Sequence, residues 1–585
     1  MGVPGLARYI ANNFRSAVTQ INPQNDPANY DSQGNYIGPP FFTVDNVYID
    51  LNAMAHPAAQ QAFCYGAFEN ILGCKPGTIL DMYDILWNTI KENLSIIKPR
   101  KMIYLALDGP APISKMNQQR QRRFMSGKHR LPDRFDSNCL TPGTIVMVEL
   151  AKYIKTHIRM ELQDPHSPFF GCEVIFSPTS IPGEGEHKLV KYIRETEDSK
   201  NLSHCIIGPD GDLIMLALAI QLNNVFLFRP NTTGTFDLID IGRVANELPS
   251  KMGLPTRPKE LCITDFILLG FLVGNDFLPK IAMFDFLDNG IQTMIDTYKS
   301  IYSAEGLTQF QDGRFLINHN IFCLFINTLS KKEAKYLADQ GKHGLKYHNN
   351  TLMDCIETKH VLEYRRMFNE RQDRIVYNID YKKYRTLYYK KAGIDPNNRL
   401  ELEKMCKSYI RTIAWVFLYY TSGLPDWEQC YKYHYAPMMT DLAEYMSRWT
   451  DLTELYDFEL GEPMIPFVQL LAVLPPTSAS LLPDVYSDLM LNPKSRLVKS
   501  GMYNMEFEID QEGKLDHSPV ILIDFTDIKL VKSEYSKIEK TAPEFFRNKF
   551  GDCILFKYNK FSDFRFISEY GNIENCHVRK RIITC

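Results

Sequence analysis

Cys172-Glu173-Val174-Ile175-Phe176 leads through Ile181-Pro182-Gly183-Glu184-Gly185-Glu186-His187-Lys188 into a periodic run from Leu189 to Thr196. His204-Cys205-Ile206-Ile207 follows, ahead of Gly208-Pro209-Asp210-Gly211-Asp212-Leu213. A short apolar run, a glycine-punctuated turn, a helical period and a second short apolar run make one strand–helix–strand unit. Strands apolar along their whole length belong to a mostly parallel sheet covered on both faces. The unit also carries two close pairs of carboxylates, Glu184 with Glu186 and Asp210 with Asp212.

The same alternation extends outward. Residues 1–20 read as helical after Val3-Pro4, and 22–40 as a loop rich in Pro, Gly and Asn. Val44 to Ile49 is a strand ending at Asp50. Ile79 to Ile97 has helical spacing and stops at Lys98-Pro99, and Met102 to Leu107 is a second strand ending at Asp108-Gly109-Pro110. Thr144 to Glu161 is a helix, Val225 to Phe228 a fifth strand, and Asp265 to Val273 a buried helix running into Gly274-Asn275-Asp276-Phe277. In open α/β sheets, ligands bind beyond the C-terminal ends of the strands. Asp50, Asp108 and Asp210 all stand there, so acids distant in sequence are expected in one crevice. The fold class is α/β, with a mostly parallel central sheet flanked by helices and a second, mixed α/β region packed against it. The expected division is a domain over 1–330, a polar linker or helical excursion over 331–375, and a second region rich in Tyr and Phe over 376–585.

Bulk properties set limits. A chain of 585 residues exceeds one hydrophobic core. A net charge of −3 offers no global basic field, so nucleic-acid binding requires a local patch. The 13 cysteines include no CxxC pair and read as reduced thiols of an intracellular protein, with neither a zinc site nor a disulfide framework expected. No apolar run approaches the roughly 18 residues of a membrane span. No signal peptide is recognisable, and Leu6 stands where a myristoylation motif wants Ser or Thr. The basic Arg579-Lys580-Arg581 reads as a solvated end.

The candidate acids are Asp50, Asp108, Glu184, Glu186, Asp210, Asp212 and Asp276. Any one alone reads as a helix cap or a solvated turn. Together they suit hard divalent cations such as Mg²⁺, which prefer oxygen ligands. A two-metal site holds its ions about 3.5–4 Å apart across a phosphodiester. Shortly after Asp108 comes Lys115-Met116-Asn117-Gln118-Gln119-Arg120-Gln121-Arg122-Arg123. Lys115, Gln119, Arg122 and Arg123 fall on one face of a helix. Such a face is often only a solvated surface, but beside Asp108 it suits a phosphate, for which Arg offers forked contacts.

These residues resemble the XRN family of 5′→3′ exoribonucleases. The likeness runs through Met1-Gly2-Val3-Pro4, Asp45 to His56, Asp108 to Arg123, Phe135 to Thr144, Pro182 to Lys188, Asp210 to Leu216 and Phe266 to Pro279. It continues at Tyr433 to Pro437, Phe458 to Gly461 and Leu471 to Pro476. The resemblance implies a nuclease domain of the PIN or 5′-nuclease kind, with all seven acids as metal ligands and catalytic residues. It implies two Mg²⁺ ions, for which Mn²⁺ can substitute. It assigns Lys115, Gln119, Arg122 and Arg123 to a pocket for a 5′-monophosphate, and His56 to stacking on a base. His56 alone would read as a packed or capping histidine. Asn52, beside Asp50, either helps to position it or serves a plain turn.

The implied activity is processive, Mg²⁺-dependent 5′→3′ degradation of 5′-monophosphorylated single-stranded RNA to mononucleotides. The implied protein is a monomer, cytoplasmic rather than nuclear. Three departures stand out. Gln429 in Trp427-Glu428-Gln429-Cys430-Tyr431-Lys432 takes the place of a family tryptophan, Lys280 and Ile281 follow Pro279 where a histidine is common, and the C-terminal modules of the large members are not seen. A flap-endonuclease-like DNA nuclease is an alternative, but Phe277 to Ala282 lacks the glycines of a helix–hairpin–helix. An inactive RNA-binding scaffold is another, opposed by the presence of every expected acid and pocket residue.

Overall fold

The structure is a computed structural model. It describes residues 5–584 except 33–35, 72, 132–133, 232–233, 285–289, 304, 345–349, 366–369, 450–452, 512–518 and 539–543. Met1 to Pro4, which carry one of the family resemblances, therefore lie outside the described residues.

The chain forms two compact units, each assembled from separated stretches. One comprises Leu6–Glu247, Gly461–Met505 and Thr526–Cys585; the other comprises Met1–Gly5, Leu248–Leu460 and Glu506–Phe525. These differ from the contiguous spans read along the sequence, because late segments return to complete an early sheet.

The first unit is built on one sheet. Its strands are β1 (Val18–Ile21), β2 (Phe42–Asp50), β3 (Ile97–Ala106), β4 (Glu173–Ser177), β5 (His204–Ile207), β6 (Val225–Pro230), β7 (Phe236–Asp240), β8 (Cys553–Tyr558) and β9 (Val578–Ile583). Their spatial order is β1-β7-β6-β5-β2-β3-β4-β8-β9. The middle, from β6 to β4, is wholly parallel. Antiparallel strands close both margins. The helices are α1 (Leu6–Asn13), α2 (Leu51–Phe63), α3 (Ile79–Ile96), α4 (Ile113–His129), α5 (Ile145–Glu161), α6 (Gly185–Glu195) and α7 (Asp212–Ile220).

Successive strand residues point to opposite faces. Val47, Ile49, Ile103, Leu105, Val174 and Phe176 share a buried core with Ala55 and Ala59 of α2, Trp87 and Ile90 of α3, and Ile154 of α5. Tyr48 and Tyr104 point the other way and meet Tyr192 of α6, with ring centroids 6.5 and 5.1 Å away. Asp50 shares its parity with Tyr48, which directs its carboxylate to the α6 side.

The central strands and most helices match the sequence reading, and the corrections lie at the margins. The N-terminal helix stops at Asn13, and Val18–Ile21 is a strand paired with Phe236–Asp240. Only that remote partner makes it a strand, since four residues carry little local preference. The tail Arg579-Lys580-Arg581 lies inside edge strand β9, with its side chains exposed as charged edge residues usually are.

Cys64 and Cys74 form a disulfide, with Cα atoms 5.9 Å apart, correcting the expectation that all thiols are reduced. Cys64 ends α2 in the left-handed conformation and turns the chain back toward Cys74. A spacing of ten residues matches no cysteine motif, so local sequence did not show it. Cys139, Cys172, Cys205, Cys262 and Cys406 are buried free thiols.

The second unit is mainly helical, with Lys259–Phe271, Gly290–Ile301, His319–Ser330 and the long Arg399–Thr421, plus three two-stranded antiparallel sheets among the described residues. Buried Asp265 accepts from Arg257, from Tyr298 Oη at 2.6 Å and from the Thr308 amide at 2.8 Å, tying three segments together. The span 331–375 contains the helix Glu333–Gly344 and most of a hairpin, Ile356–Arg365 with Glu370–Ile379. Gln429 is held by polar contacts. Its Oε1 accepts from Arg411 Nε at 3.2 Å and its Nε2 donates to Thr412 Oγ1 at 3.1 Å, so hydrogen bonds occupy the expected tryptophan's position.

Candidate active site

Three loops at the C-terminal edge of the parallel strands are locked together by main-chain contacts. β2 ends at Asp50, whose carboxylate caps α2 by accepting from the Asn52 amide at 3.1 Å. Asn52 Oδ1 in turn accepts from the Asp108 amide at 2.9 Å. Asn52 therefore ties the Asp50 turn to the Asp108 loop, beyond any role in its own turn. The Asp108 loop then meets the Pro182-Gly183-Glu184 loop. A Cβ on Gly109 would lie 1.7 Å from the Ile181 carbonyl oxygen, so only glycine fits there. Gly183 has φ +105°, which also selects glycine.

The Gly185 amide donates to Asp108 Oδ1 at 2.6 Å, and a Cβ on Gly185 would come within 2.6 Å of Asp50 Oδ1. The N-terminus of α6 thus abuts Asp50 and Asp108, and Glu186 sits in its first turn, where a helix favours negative charge.

The charges of this cluster are unbalanced. Burial, then Asp108 and Asp210, hold the Asp50 carboxyl well above the usual range. Burial, then Asp212, raise Glu186, with Glu184 and Asp210 adding to the effect against the opposing pull of Lys115. Asp210 acts on both groups and links them. Lys115 offsets part of this repulsion. Lys115 Nζ lies 2.5 Å from Glu184 Oε2. Lys188 Nζ donates to the Leu107 carbonyl oxygen at 2.8 Å; burial draws it down to about 7 against the pull of Asp108 and Asp50.

Among the described residues, no three His, Cys, Asp or Glu side chains are gathered tightly enough to form a ready metal cage. The donor set nonetheless fits hard divalent cations. It offers carboxylate oxygens alone, and mutual repulsion among Asp50, Asp108, Glu184, Glu186, Asp210 and Asp212 is what a divalent charge relieves.

The cationic face of α4 adjoins this cluster. Lys115 reaches it through Glu184, and Arg123 interacts electrostatically with Asp108. Arg123 Nε donates to Thr141 Oγ1 at 2.8 Å, and Thr141 Oγ1 donates to the Asn138 carbonyl oxygen at 2.7 Å. The segment Phe135 to Thr144 thereby orients the guanidinium. Burial and neighbouring Arg122 lower Arg123 to about 9, still cationic at neutral pH. Gln119 is buried, and its Oε1 accepts from Gln469 Nε2 at 3.3 Å. Gln469 Oε1 accepts from the Ala111 amide at 2.8 Å, joining the start of α4 to Gln119.

Arg120, off this face, is buried. It donates to the carbonyl oxygens of Ala472 and Met502, and its guanidinium lies 4.1 Å from the Phe124 ring centroid. The same helix thus separates buried Arg120 from exposed Arg122 by angle alone.

His56, on α2, faces the same arginines. His56 is an exposed residue. Desolvation, then the charges of Arg122 and Arg123, bring it down to about 4. The imidazole is therefore neutral at physiological pH. Asp276 belongs to the other unit. It follows Asn275, whose Oδ1 accepts from the amides of Phe277 and Leu278 at 2.8 and 2.9 Å.

Sequence reasoning missed Gln469, Thr141 and the structural use of Lys188. Gln469 left one signal, as the lone polar residue in the apolar helix Pro466–Val473.

Comparison with known proteins bears on this arrangement. The model of the XRN 5′-3′ exonuclease N-terminus matches residues 1–231, and that of the Xrn1 helical domain matches 258–374 and 330–583. The chain belongs to the XRN 5′-3′ exonuclease family. Human 5′-3′ exoribonuclease 1 is 29% identical, over all of this chain and 37% of its own length. The Drosophila melanogaster 5′-3′ exoribonuclease 2 homolog is 25% identical over all of this chain and 76% of its own. Saccharomyces cerevisiae 5′-3′ exoribonuclease 1 is 25% identical, covered over 47% of its length. The chain thus spans well under two thirds of some XRN relatives. A solved structure of the catalytic core of Rad2 in complex with DNA substrate aligns at a TM-score of 0.31 and 11% identity, over 68% of this chain and 96% of that one.

Proposed function

We propose that this XRN-family chain is a processive 5′→3′ exoribonuclease that removes mononucleotides from single-stranded RNA bearing a 5′-monophosphate. One observation carries the reading furthest. Lys115, at the start of the cationic face of α4, is ion-paired to Glu184 of the acid cluster at 2.5 Å. A phosphate held on that face would lie beside the carboxylates.

Asp50, Asp108, Glu184, Glu186, Asp210 and Asp212 would hold two divalent cations, Mg²⁺ with Mn²⁺ as a substitute. Those ions would supply charge neutralisation at the scissile phosphodiester and a more acidic attacking water. The protein's own groups do the rest. Arg122 and Arg123 grip the terminal phosphate with forked donors, and Gln119 extends the amide side of the pocket. Thr141 fixes the rotation of Arg123. The neutral His56 ring offers a stacking face, and stacking accepts any base. Asn52, Gly109 and Gly183 hold the acid-bearing loops in register. A pocket built for a monophosphate disfavours 5′-hydroxyl ends for lack of charge and capped or triphosphate ends by bulk. Entry of the next phosphate after each cut would give processivity. We place the protein in the cytoplasm, acting as a monomer.

The test is degradation of matched substrates by the purified chain. Single-stranded RNA with 5′-monophosphate, 5′-hydroxyl and 5′-triphosphate ends is compared with a DNA flap, with and without Mg²⁺. Mg²⁺-dependent release of mononucleotides from the monophosphate substrate is expected. Preferential cutting of the flap, or no hydrolysis at all, would overturn the reading.

A further inference from the structure

The sheet unit has a second recess at the opposite edge of its parallel strands. It is a cavity of about 500 Å³, within the size range of small-ligand sites. A row across the sheet lines it, where Asn46 midway along β2 pairs with Met102 midway along β3, and Met102 with Glu173 at the start of β4. Asn46 stands four residues before Asp50, so the cavity lies roughly 13 Å along the strand from the acid edge.

Arg100, Lys101 and Lys557 line it. All three are more than half exposed and ion-paired. Arg100 and Lys101 reach Asp45 at 3.1 and 3.6 Å, and Lys557 reaches Glu173 at 2.5 Å. Asp45 is buried and also accepts from the Ser203 amide and hydroxyl, and the cations themselves stand in solvent, where such pairing contributes only about 0–1 kcal/mol, so an incoming anion can recruit them at little cost. Tyr192 and Tyr558 line the same space with aromatic rings. Exposed cations beside two tyrosine rings and buried Met102 suit a ligand that has an anionic end and a flat apolar end.

We propose that this cavity is a second site for a nucleoside monophosphate, separate from the acid cluster. The phosphate lies among Arg100, Lys101 and Lys557, and the base lies against Tyr192 or Tyr558. Tyr192 sits seven residues along α6 from Gly185, about 10 Å at helical rise. The same helix therefore contacts this ligand and presents Glu184 and Glu186 at its other end.

The test measures AMP binding to the intact chain by calorimetry in the presence of EDTA, a readout independent of hydrolysis. Two double variants separate the sites: Arg100→Ala with Lys557→Ala, and Arg122→Ala with Arg123→Ala. Arg100 and Lys557 are exposed, and Arg100→Lys with Lys557→Arg serves as a charge-preserving control for folding. The expected result is AMP binding that survives in the Arg122/Arg123 variant, weakens about tenfold or more in the Arg100/Lys557 variant and returns in the control. Inorganic phosphate should bind at least about tenfold more weakly than AMP. The proposal falls if AMP binding is lost only with Arg122 and Arg123, or if phosphate binds as well as AMP.

Discussion

The Gly109 amide donates to the Gly183 carbonyl oxygen at 2.9 Å, and the Gly183 amide donates to the Pro110 carbonyl oxygen at 2.8 Å. This reciprocal pair joins the loop that carries Asp108 to the loop that carries Glu184 and Glu186. Gly109→Ala would force a methyl group into the Ile181 carbonyl. The expected outcome is a loss of about 1–3 kcal/mol in unfolding free energy together with a fall in hydrolysis. Chemical denaturation and a single-turnover assay check both, and an unchanged protein would refute the close approach.

Asp210 connects the two halves of the acid cluster electrostatically. Asp210→Ala with Asp212→Ala should abolish hydrolysis while RNA binding persists. Chelation with EDTA should have the same effect on the unmodified protein, reversed by Mg²⁺. Gel-shift and degradation assays on one preparation separate binding from chemistry, and residual cleavage by the double variant would count against the metal-ligand assignment.

In the proposed reading, end selectivity rests on Arg123. Truncation to Ala removes a charged hydrogen-bond donor, an interaction of about 1.5–3 kcal/mol. The preference for 5′-monophosphate over 5′-hydroxyl RNA should fall by roughly one to two orders of magnitude. Thr141→Val should produce a smaller loss in the same direction, since it frees the guanidinium that Thr141 holds. Equal kcat/KM ratios in wild type and Arg123→Ala would remove Arg123 from the pocket.

Asn52→Ala strands the Asp108 amide, which now donates to Asn52 Oδ1. An orphaned buried donor costs about 1–3 kcal/mol. We expect kcat to fall more than KM changes, because the proposed site gives Asn52 the role of positioning the Asp108 loop and assigns it no RNA contact. Steady-state kinetics decide it, and a change confined to KM would point instead to a substrate contact.

Asp45 gives a pH signature away from the acid cluster. Burial raises its pKa, but the Ser203 amide and hydroxyl, with Arg100 and Lys101, outweigh that and hold it below the ordinary aspartate value of 3.8. A carboxyl lowered by folding adds stability above its unfolded pKa and loses it as pH falls through the folded one. Asp45→Asn should therefore destabilise the protein by about 1 kcal/mol at pH 7. The gap to wild type should close as pH drops below 3.8. Thermal unfolding across pH checks this, and a constant gap would show that the charge is immaterial.

The legible parts of this protein were those written in short range. Apolar runs ending in Asp50 or preceding Asp108 and Asp210 placed the central strands, and the spacing of Lys115, Gln119, Arg122 and Arg123 placed a cationic face. The outer strands escaped because strand identity at Val18–Ile21 and Val578–Ile583 depends on partners far along the chain. The Cys64–Cys74 bond escaped because a left-handed turn, rather than a motif, brings its thiols together.

By itself the sequence determined which residue types are present and on which face or edge each would fall, since backbone geometry imposes periods of two and 3.6 on side-chain direction. Only the tertiary structure decided what those residues do to one another. It made Arg120 a buried strut and left Arg122 exposed on the same helix. It set Gly185 against Asp50 and Asp108, and it joined Asn52 to the Asp108 amide. Such contacts depend on angstrom-scale approach between loops distant in the chain, a quantity that no local pattern of residues contains.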